Sequence, residues 1–263
     1  MICDCAAVPT MSLQEISLAA RRASDGGEGV EQLLKREKVL VARVMLENGE
    51  SVIVKLWSGL GIRGLLRRMT GTSNMQAEWR TLRHLYGAGV AVPRPLGRCW
   101  ARDGHYTDAI LIEDLGKCTL GLTHVKSMLR EGRDAEHEQF VTKLMEMTQL
   151  ILDQGIVDPD HGLQNILVRA NGEPVRIDFE LARISRSVRW RRKQYGNMIG
   201  RLLTTYVFAA QPDMMRIKQF AQRLRTSLSL PPGILQRAGE YAQEQMAKQL
   251  VLKGIDTRLE LEW

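Results

Sequence analysis

The strongest constraint on this chain is a set of polar residues placed around two short apolar runs. Asp160 is followed five residues later by Asn165, and thirteen residues after that by Asp178. One apolar run follows Asn165, the other leads to Asp178, and the Asn-Gly pair at 171–172 between them favours a tight hairpin. The hairpin would return Asn165 and Asp178 to the same place, where both could reach one metal ion.

The residue types in this set are those that a phosphotransferase needs. One carboxylate, Asp160, would orient a hydroxyl nucleophile, while an amide and a second carboxylate, Asn165 and Asp178, would hold magnesium on nucleotide phosphates. An Asp/Asn/Asp set in loops is also common turn chemistry, so the interpretation depends on other parts of the chain.

The upstream sequence places a lysine on a predicted strand and a glutamate on a predicted helix. Apolar runs at 39–46 and 51–57 flank an Asn-Gly turn and predict a hairpin whose second strand carries Lys55. Residues 75–87 show helical periodicity, and Glu78 lies on that helix. The spacing places Trp79, Leu82, Leu85 and Tyr86 on its apolar side. A strand lysine that is held by a helix carboxylate can direct its charge at nucleotide phosphates.

The rest of the chain supports an α+β layout. Residues 1–30 are polar, with a short helix predicted around 12–22. An apolar strand is predicted at 109–112 and a long amphipathic helix at about 134–155. Beyond 195 the pattern is helical, with breaks at Pro212 and at the Pro-Pro-Gly sequence that follows. Strands therefore dominate the first half and helices the second.

Charge and composition narrow the function classes. The net charge of +7 favours anionic partners such as nucleotides, nucleic acid, phosphorylated glycans or an anionic membrane face. A nucleic-acid binder would explain the charge but not the ordered carboxylates, and the 5% aromatic content offers few stacking platforms. Four cysteines form no disulfide framework, no secretory signal is visible, and no stretch approaches a spanning helix. We therefore expect a cytoplasmic protein without a nucleic-acid partner.

The order of these elements resembles the protein-kinase-like fold, with a strand lysine, a helix glutamate, an Asp-x4-Asn loop and an Ile-Asp-Phe sequence. The sequence at 77–82 and 89–96 further resembles bacterial lipopolysaccharide core kinases, which act on the heptose and Kdo (3-deoxy-octulosonate) sugars of the inner core. Residues 111–115 fit the connector between their lobes. The resemblance covers roughly residues 36–185.

This resemblance implies a fold, a division into domains and an activity. The fold would be two-lobed, with a small β-rich N-lobe and a larger helical C-lobe. The domains would be an N-terminal extension at 1–30, an N-lobe at 31–113 and a C-lobe at 114–263. The activity would be ATP- and Mg²⁺-dependent phosphorylation of a sugar hydroxyl of the lipopolysaccharide inner core or a related glycolipid.

The resemblance also implies a role for each matching N-lobe residue. Lys55 would contact the α- and β-phosphates of ATP and take part in catalysis, and Glu78 would orient Lys55. Backbone groups around Glu113 and Leu115 would meet the adenine.

Three C-lobe residues receive roles in the same way. Asp160 would accept or orient the proton of the attacking sugar hydroxyl. Asn165 and Asp178 would bind Mg²⁺. Positioning and charge neutralisation would carry most of the catalysis.

Several positions depart from the protein-kinase pattern. Asp158 stands where protein kinases carry His, and Glu180 stands where they carry Gly, which would add a third carboxylate near the metal. The first strand pair has basic residues at 35–38 and no glycine loop, and no Ala-Pro-Glu follows. A non-catalytic kinase-like binding module therefore stays open as an alternative. The basic runs at 60–69 and 183–193 argue against a small-molecule kinase, which usually needs an acidic pocket for a cationic substrate, and the missing Ala-Pro-Glu disfavours a protein kinase.

Two further features have both a functional and a structural interpretation. His161 could be a second acid or base, but a histidine beside such a loop more often makes a structural hydrogen bond. Basic runs at 60–69 and 183–193 could be solvated faces, or could contact an anionic membrane at the cytoplasmic side or the phosphates of the substrate itself. If the basic runs contact the membrane, we expect the protein to bind peripherally at the membrane surface.

Overall fold

The computed structural model describes residues 2–4, 11–36, 38–58, 73–100, 106–185 and 191–252. The chain forms two compact units, Met1–Gly87 with Val92–Gly116, and Ala88–Ala91 with Lys117–Trp263. The first unit is built on a sheet, and the second is largely helical. The predicted α+β class is confirmed.

Six antiparallel strands form the sheet of the first unit. They are β1 (Ile2–Asp4), β2 (Val30–Arg36), β3 (Val39–Met45), β4 (Ser51–Ser58), β5 (Pro95–Trp100) and β6 (Tyr106–Glu113). Their order across the sheet is β1-β5-β6-β4-β3-β2. Strand β4 therefore has neighbours on both sides, which gives Lys55 a central position.

The hairpin predicted from the first two apolar runs is confirmed as β3 and β4. The strands pair from Val39 opposite Trp57 to Met45 opposite Ser51. Gly49 in the turn has a φ of 82°, a left-handed conformation that glycine adopts without strain. Alternate residues of β3 are buried, so one face of the strand lies on the core.

Helix α1 (Leu13–Asp25) packs on this sheet. It begins with a capping box, because the Ser12 hydroxyl accepts from the Glu15 amide and the Glu15 carboxylate accepts from the Ser12 amide. Its buried face consists of Ile16, Ala19, Ala20 and Ala23. A Cβ atom at Gly97 would lie 2.4 Å from Ile16 Cδ1, so this glycine lets the helix approach β5. The helix predicted around 12–22 is thus confirmed and runs three residues further.

Helix α2 (Asn74–Gly87) confirms the prediction made for 75–87. Trp79, Leu82 and Leu85 are buried, as their spacing predicts. Tyr86, which was placed with them on the apolar side, is instead 40% exposed. It follows Leu85 by one position, which turns a helical side chain by about 100° away from the buried face.

The second unit contains five α-helices, one short 3-10 helix (Leu163–Asn165) and five short strands among the residues described. The helices are α3 (Gly121–Arg130), α4 (Asp134–Asp153), α5 (Arg192–Ala210), α6 (Met214–Ser227) and α7 (Pro232–Leu252). The strands are β7 (Thr119–Leu120), β8 (Ile156–Val157), β9 (Ile166–Val168), β10 (Pro174–Arg176) and β11 (Arg183–Ile184). The predicted long helix and the predicted β9–β10 hairpin are confirmed.

Helix α5 is the most buried helix of this unit and packs closely on α7. A Cβ atom at Gly200 would lie 2.6 Å from the carbonyl oxygen of Ala238, and one at Gly196 would lie 2.6 Å from Arg237 Cβ. The two glycines therefore allow the backbones of α5 and α7 to come together.

Two sequence features fall partly or wholly outside the described residues. The Gly- and Arg-rich segment that includes 60–69 lies outside them, as do residues 186–190 of the second basic run. Among the helices that are described, none has the length and apolar character needed to cross a membrane.

Candidate active site

Lys55 and Glu78 form a buried ion pair in the first unit. Lys55 Nζ lies 2.9 Å from Glu78 Oε2, and the two residues are 8% and 3% exposed. The ammonium also lies 5.1 Å from the centre of the Trp57 ring, within range of a cation–π contact. Desolvation makes buried ion pairs poor stabilisers, so a pair kept at the centre of a sheet is better explained by function than by stability.

The end of β6, where the adenine contact is predicted, is held by backbone hydrogen bonds. Glu113 donates its amide to the Arg94 carbonyl at 2.9 Å, and its carboxylate accepts from the Arg94 amide at 3.0 Å. Leu115, two residues further, is half-buried. The backbone at this position is thus fixed before any ligand binds.

Asp114 adds a second anchor beside Glu113. Its carboxylate accepts from Arg43 Nε at 2.6 Å, from Ser51 Oγ at 2.6 Å and from the Gly116 amide at 3.0 Å. Burial raises the pKa of Asp114, but these hydrogen bonds outweigh it, and the pKa is lower than usual. Asp114 therefore ties β3, β4 and the end of β6 together as an anion.

Asp160 lies in the second unit and is surrounded by donors. Asn165 Nδ2 donates to Asp160 Oδ2 at 2.8 Å and to the Asp160 carbonyl at 3.0 Å. Gln164 Nε2 and Arg201 Nη2 donate to Asp160 Oδ1 at 3.2 and 3.3 Å. These contacts hold the carboxylate in one orientation, as a group that must orient a hydroxyl requires.

The Asn165 amide is oriented by the same contacts. Both of its partners on Asp160 are oxygen atoms, which can only accept, so the NH₂ group must face Asp160. The Asn165 Oδ1 atom is then directed elsewhere and can serve as a ligand for a hard cation.

Asp178 follows the β9–β10 hairpin, and the hairpin returns it toward Asn165 as predicted. The Ile177 amide donates to the Asn165 carbonyl at 3.0 Å. Asp178 has a φ of 64°, a left-handed conformation that costs a non-glycine residue free energy and occurs often at functional sites. Carboxylate oxygens of Asp178 and Glu180 lie within 4.8 Å of each other. The donor set of an amide and two carboxylates suits Mg²⁺.

Arg176 is a central residue of this site that the sequence interpretation missed. It is fully buried and forms an ion pair with Asp158, which is 1% exposed. It also donates to the backbone carbonyls of Asn165 at 2.9 Å and Asp160 at 3.1 Å. Burial raises the pKa of Asp158, and the Arg176 cation opposes that shift. An arginine inside an otherwise apolar strand was the available signal.

His161 makes the structural hydrogen bond that the sequence favours. Its Nε2 lies 3.1 Å from Thr148 Oγ1, and that hydroxyl donates its proton to the Leu144 carbonyl. The hydroxyl must therefore accept from His161, which fixes the proton on Nε2. Burial, with a smaller effect of Arg176, lowers the pKa of His161 to about 3, so the ring is neutral at pH 7.

Comparisons with known proteins agree on one family. Residues 30–218 match the sequence model of the "Lipopolysaccharide kinase (Kdo/WaaP) family". A 3-deoxy-D-manno-octulosonic acid kinase of Xanthomonas oryzae pv. oryzae (strain PXO99A) is 32% identical over 126 residues, which is 47% of each chain. An enzyme of the same name from Xylella fastidiosa (strain M12) is 27% identical over 128 residues, 48% of this chain and 49% of the other. The matches thus span about half the length of these relatives.

One solved structure resembles the whole chain more distantly. The pseudokinase domain of BIR2, an immune regulator of the RLK/Pelle family, aligns with a TM-score of 0.49 and 12% sequence identity. The alignment covers 95% of this chain and 91% of that domain.

Proposed function

The chain belongs to the lipopolysaccharide kinase (Kdo/WaaP) family, as the sequence resemblance predicts, and we propose that it is an ATP- and Mg²⁺-dependent kinase of a lipopolysaccharide inner-core sugar or a related glycolipid. One observation carries the proposal: the family match spans every residue of the candidate site, namely Lys55, Glu78, Asp160, Asn165 and Asp178. Two relatives are named as kinases of 3-deoxy-D-manno-octulosonic acid, which supports Kdo as the acceptor sugar.

In the first unit, Lys55 supplies positive charge to the phosphates of ATP. Glu78 holds the ammonium through the 2.9 Å ion pair, so little reorganisation is needed when the nucleotide binds. The backbone near Glu113 and Leu115, which the hydrogen bonds between Glu113 and Arg94 hold in place, would meet the adenine. ATP binding would thus combine contacts to the adenine with neutralisation of the phosphate charge.

In the second unit, Asp160 orients the attacking sugar hydroxyl and takes its proton. Gln164, Asn165 and Arg201 keep the carboxylate in place. Asn165 Oδ1 and the Asp178 carboxylate would hold Mg²⁺, with Glu180 as a third oxygen donor. The bound ion would neutralise charge that develops on the transferred phosphoryl group.

We infer a cytoplasmic location with peripheral contact to an anionic membrane, because the acceptor is part of a glycolipid. Exposed Arg183, Arg192 and Lys193 support this contact. Replacing all three by Gln should weaken co-sedimentation with vesicles that contain phosphatidylglycerol, and should leave turnover of a water-soluble acceptor unchanged. Unchanged vesicle binding would contradict the contact.

The activity is tested by ATP turnover with purified lipopolysaccharide inner core as the acceptor. Wild type should show acceptor-stimulated turnover that requires Mg²⁺, and Asp160→Asn should reduce kcat by about 100-fold or more, because the general base is lost. Asp25→Asn, which changes an exposed aspartate at the end of α1, is the matched control and should behave like wild type.

A non-catalytic binding module is the second candidate, and the β2–β3 connection favours it. Strand β2 ends at Arg36 and β3 begins at Val39, and the sequence between Lys35 and Lys38 has no glycine. The basic side chains of Lys35, Arg36 and Lys38 are exposed. Binding of Mg-ATP without turnover on any inner-core acceptor would support this candidate over the kinase.

A further inference from the structure

A basic cavity of about 700 Å³ opens at the surface of the second unit, separate from the residues of the candidate active site, and Lys218 and Arg225 lie at its exposed side. Helices α4, α5 and α6 line it. The lining includes four cationic side chains, all on α6: Arg216, Lys218, Arg223 and Arg225. The volume lies in the range of pockets that bind small molecules.

Two stacked aromatic rings lie on the buried side of the cavity. Tyr206 and Phe220 stack with ring centres 3.7 Å apart and an angle of 3° between the planes. The Tyr206 hydroxyl and His137 Nε2 are joined by a 2.8 Å hydrogen bond. His137 is buried, and its Nδ1 atom faces Glu138 Oε1 at 3.7 Å, which is too far for a hydrogen bond. A buried nitrogen of this kind normally has a polar partner, protein or water.

The positive charge of the lining is only partly neutralised. Arg216 pairs with Asp134 at 2.5 Å, and Arg223 pairs with Glu138 at 3.2 Å. Lys218 and Arg225 have no hydrogen bond or ion pair within the described part of the chain. Glu138 is the one acidic side chain of the described lining, so the cavity keeps an excess of cations.

We propose that this cavity binds a ligand that carries a phosphate group on a sugar ring. Lys218 and Arg225 provide unpaired cations for the phosphate, and Arg is suited to bidentate contacts with it. Gln219 and Gln222 on the same helix provide neutral donors and acceptors for sugar hydroxyls. The buried Tyr206 and Phe220 rings, which stack on each other, form the inner apolar part of the lining.

The proposal does not depend on the kinase activity. None of the lining residues belongs to the candidate active site, and six of them lie beyond residue 218, where the family match ends. The ligand could be a free sugar phosphate or the phosphorylated headgroup of a glycolipid, and these sources share the same recognition chemistry.

The test uses the full chain with ¹³C-labelled alanine methyl groups, because Ala221 lines the cavity and reports binding locally. Glucose 6-phosphate is titrated in one arm, glucose in a second, and vesicles that contain lipid A in a third. The variant is Lys218→Gln with Arg225→Gln. The control is Arg130→Gln with Lys143→Gln, which removes the same charge from exposed positions outside the cavity.

Glucose 6-phosphate should shift the Ala221 signal with millimolar affinity or better, and glucose should leave the signal unchanged. The cavity variant should bind glucose 6-phosphate about tenfold more weakly than wild type, and the control variant should bind it with wild-type affinity. A response to lipid A vesicles alone, again lost in the cavity variant, would assign the phosphate to a glycolipid headgroup. No shift at Ala221 in any arm, or equal loss in both variants, would overturn the proposal. ATP turnover of both variants is measured in parallel, so that failure of the ligand-binding proposal can be distinguished from failure of the kinase proposal.

Discussion

Arg176 and Asp158 form an ion pair that is almost completely removed from solvent. The same guanidinium donates to the carbonyls of Asp160 and Asn165, so one buried cation fixes the loop that carries both candidate site residues. Asp158 stands where protein kinases carry His. A carboxylate is tolerated at this position because the Arg176 cation balances its charge.

Arg176→Met should destabilise the protein by about 3–5 kcal/mol, because Asp158 would be left buried without its partner. The double variant Arg176→Met with Asp158→Leu should recover most of that loss, since neither charge remains. Urea unfolding measures both. Arg130→Met, at an exposed helix end, is the control and should change stability by less than about 0.5 kcal/mol. Equal losses in the single and double variants would contradict the pairing.

His161 should make stability depend on pH below neutrality. Its pKa is about 3 in the folded protein against 6.5 as the ordinary value. Between these values the unfolded chain binds the proton and the folded protein does not, so stability falls as the pH falls. The loss from His161 should be about 2 kcal/mol between pH 7 and pH 5.

The measurement for His161 is the free energy of unfolding of wild type and His161→Gln at pH 5, 6 and 7. Gln keeps a donor for Thr148 but does not titrate. The difference between the two proteins should therefore shrink or reverse toward pH 5. Parallel curves for the two proteins would show that His161 does not titrate as described.

The left-handed backbone at Asp178 should lower the stability of the protein, while the Asp178 carboxylate should be needed for activity. Asp178→Gly and Asp178→Ala both remove the carboxylate and should both abolish Mg²⁺-dependent turnover. Asp178→Gly should be more stable than Asp178→Ala by about 1 kcal/mol, because glycine adopts a φ of 64° without strain. Thermal and urea unfolding compare the two, and equal stability would argue against strain at this position.

Gly200→Ala should destabilise the second unit by about 1–3 kcal/mol, because the new methyl group would meet the Ala238 carbonyl at 2.6 Å. That neighbour belongs to the backbone of α7 and cannot move aside alone. Gly233→Ala is the matched control, since a Cβ there meets no atom within 4 Å. It should be neutral or slightly stabilising, because alanine favours a helix. Similar urea midpoints for the two variants would be inconsistent with close α5–α7 packing.

The sequence predicts elements well where a periodic pattern meets a turn signal. The β3–β4 and β9–β10 hairpins and helices α2 and α4 have both. Strand β2 is poorly predicted because six of its seven residues are exposed, so it shows no alternation. Strands β7, β8 and β11 have two residues each, too few for any period.

The candidate site likewise contains residues that the sequence predicts and residues that it does not. Lys55 and Glu78 were predicted to pair, and they form a hydrogen-bonded ion pair. Asn165 and Asp178 were predicted to converge through a hairpin, and the Ile177 amide beside Asp178 donates to the Asn165 carbonyl. Arg176 and Arg201 were missed, because no turn signal or motif in the sequence links either of them to the carboxylate that it contacts. Such contacts depend on tertiary packing, which no local pattern encodes.

Transfer of the γ-phosphate of ATP to the acceptor is the most direct test of the central claim. Radiolabelled ATP with Mg²⁺ is incubated with an inner-core acceptor that carries Kdo and with a matched acceptor that lacks it. Wild type should label the Kdo acceptor alone, and Asp160→Asn should label neither. Absence of label on the Kdo acceptor, from a folded protein that binds Mg-ATP, would contradict the proposal that this chain is a Kdo kinase.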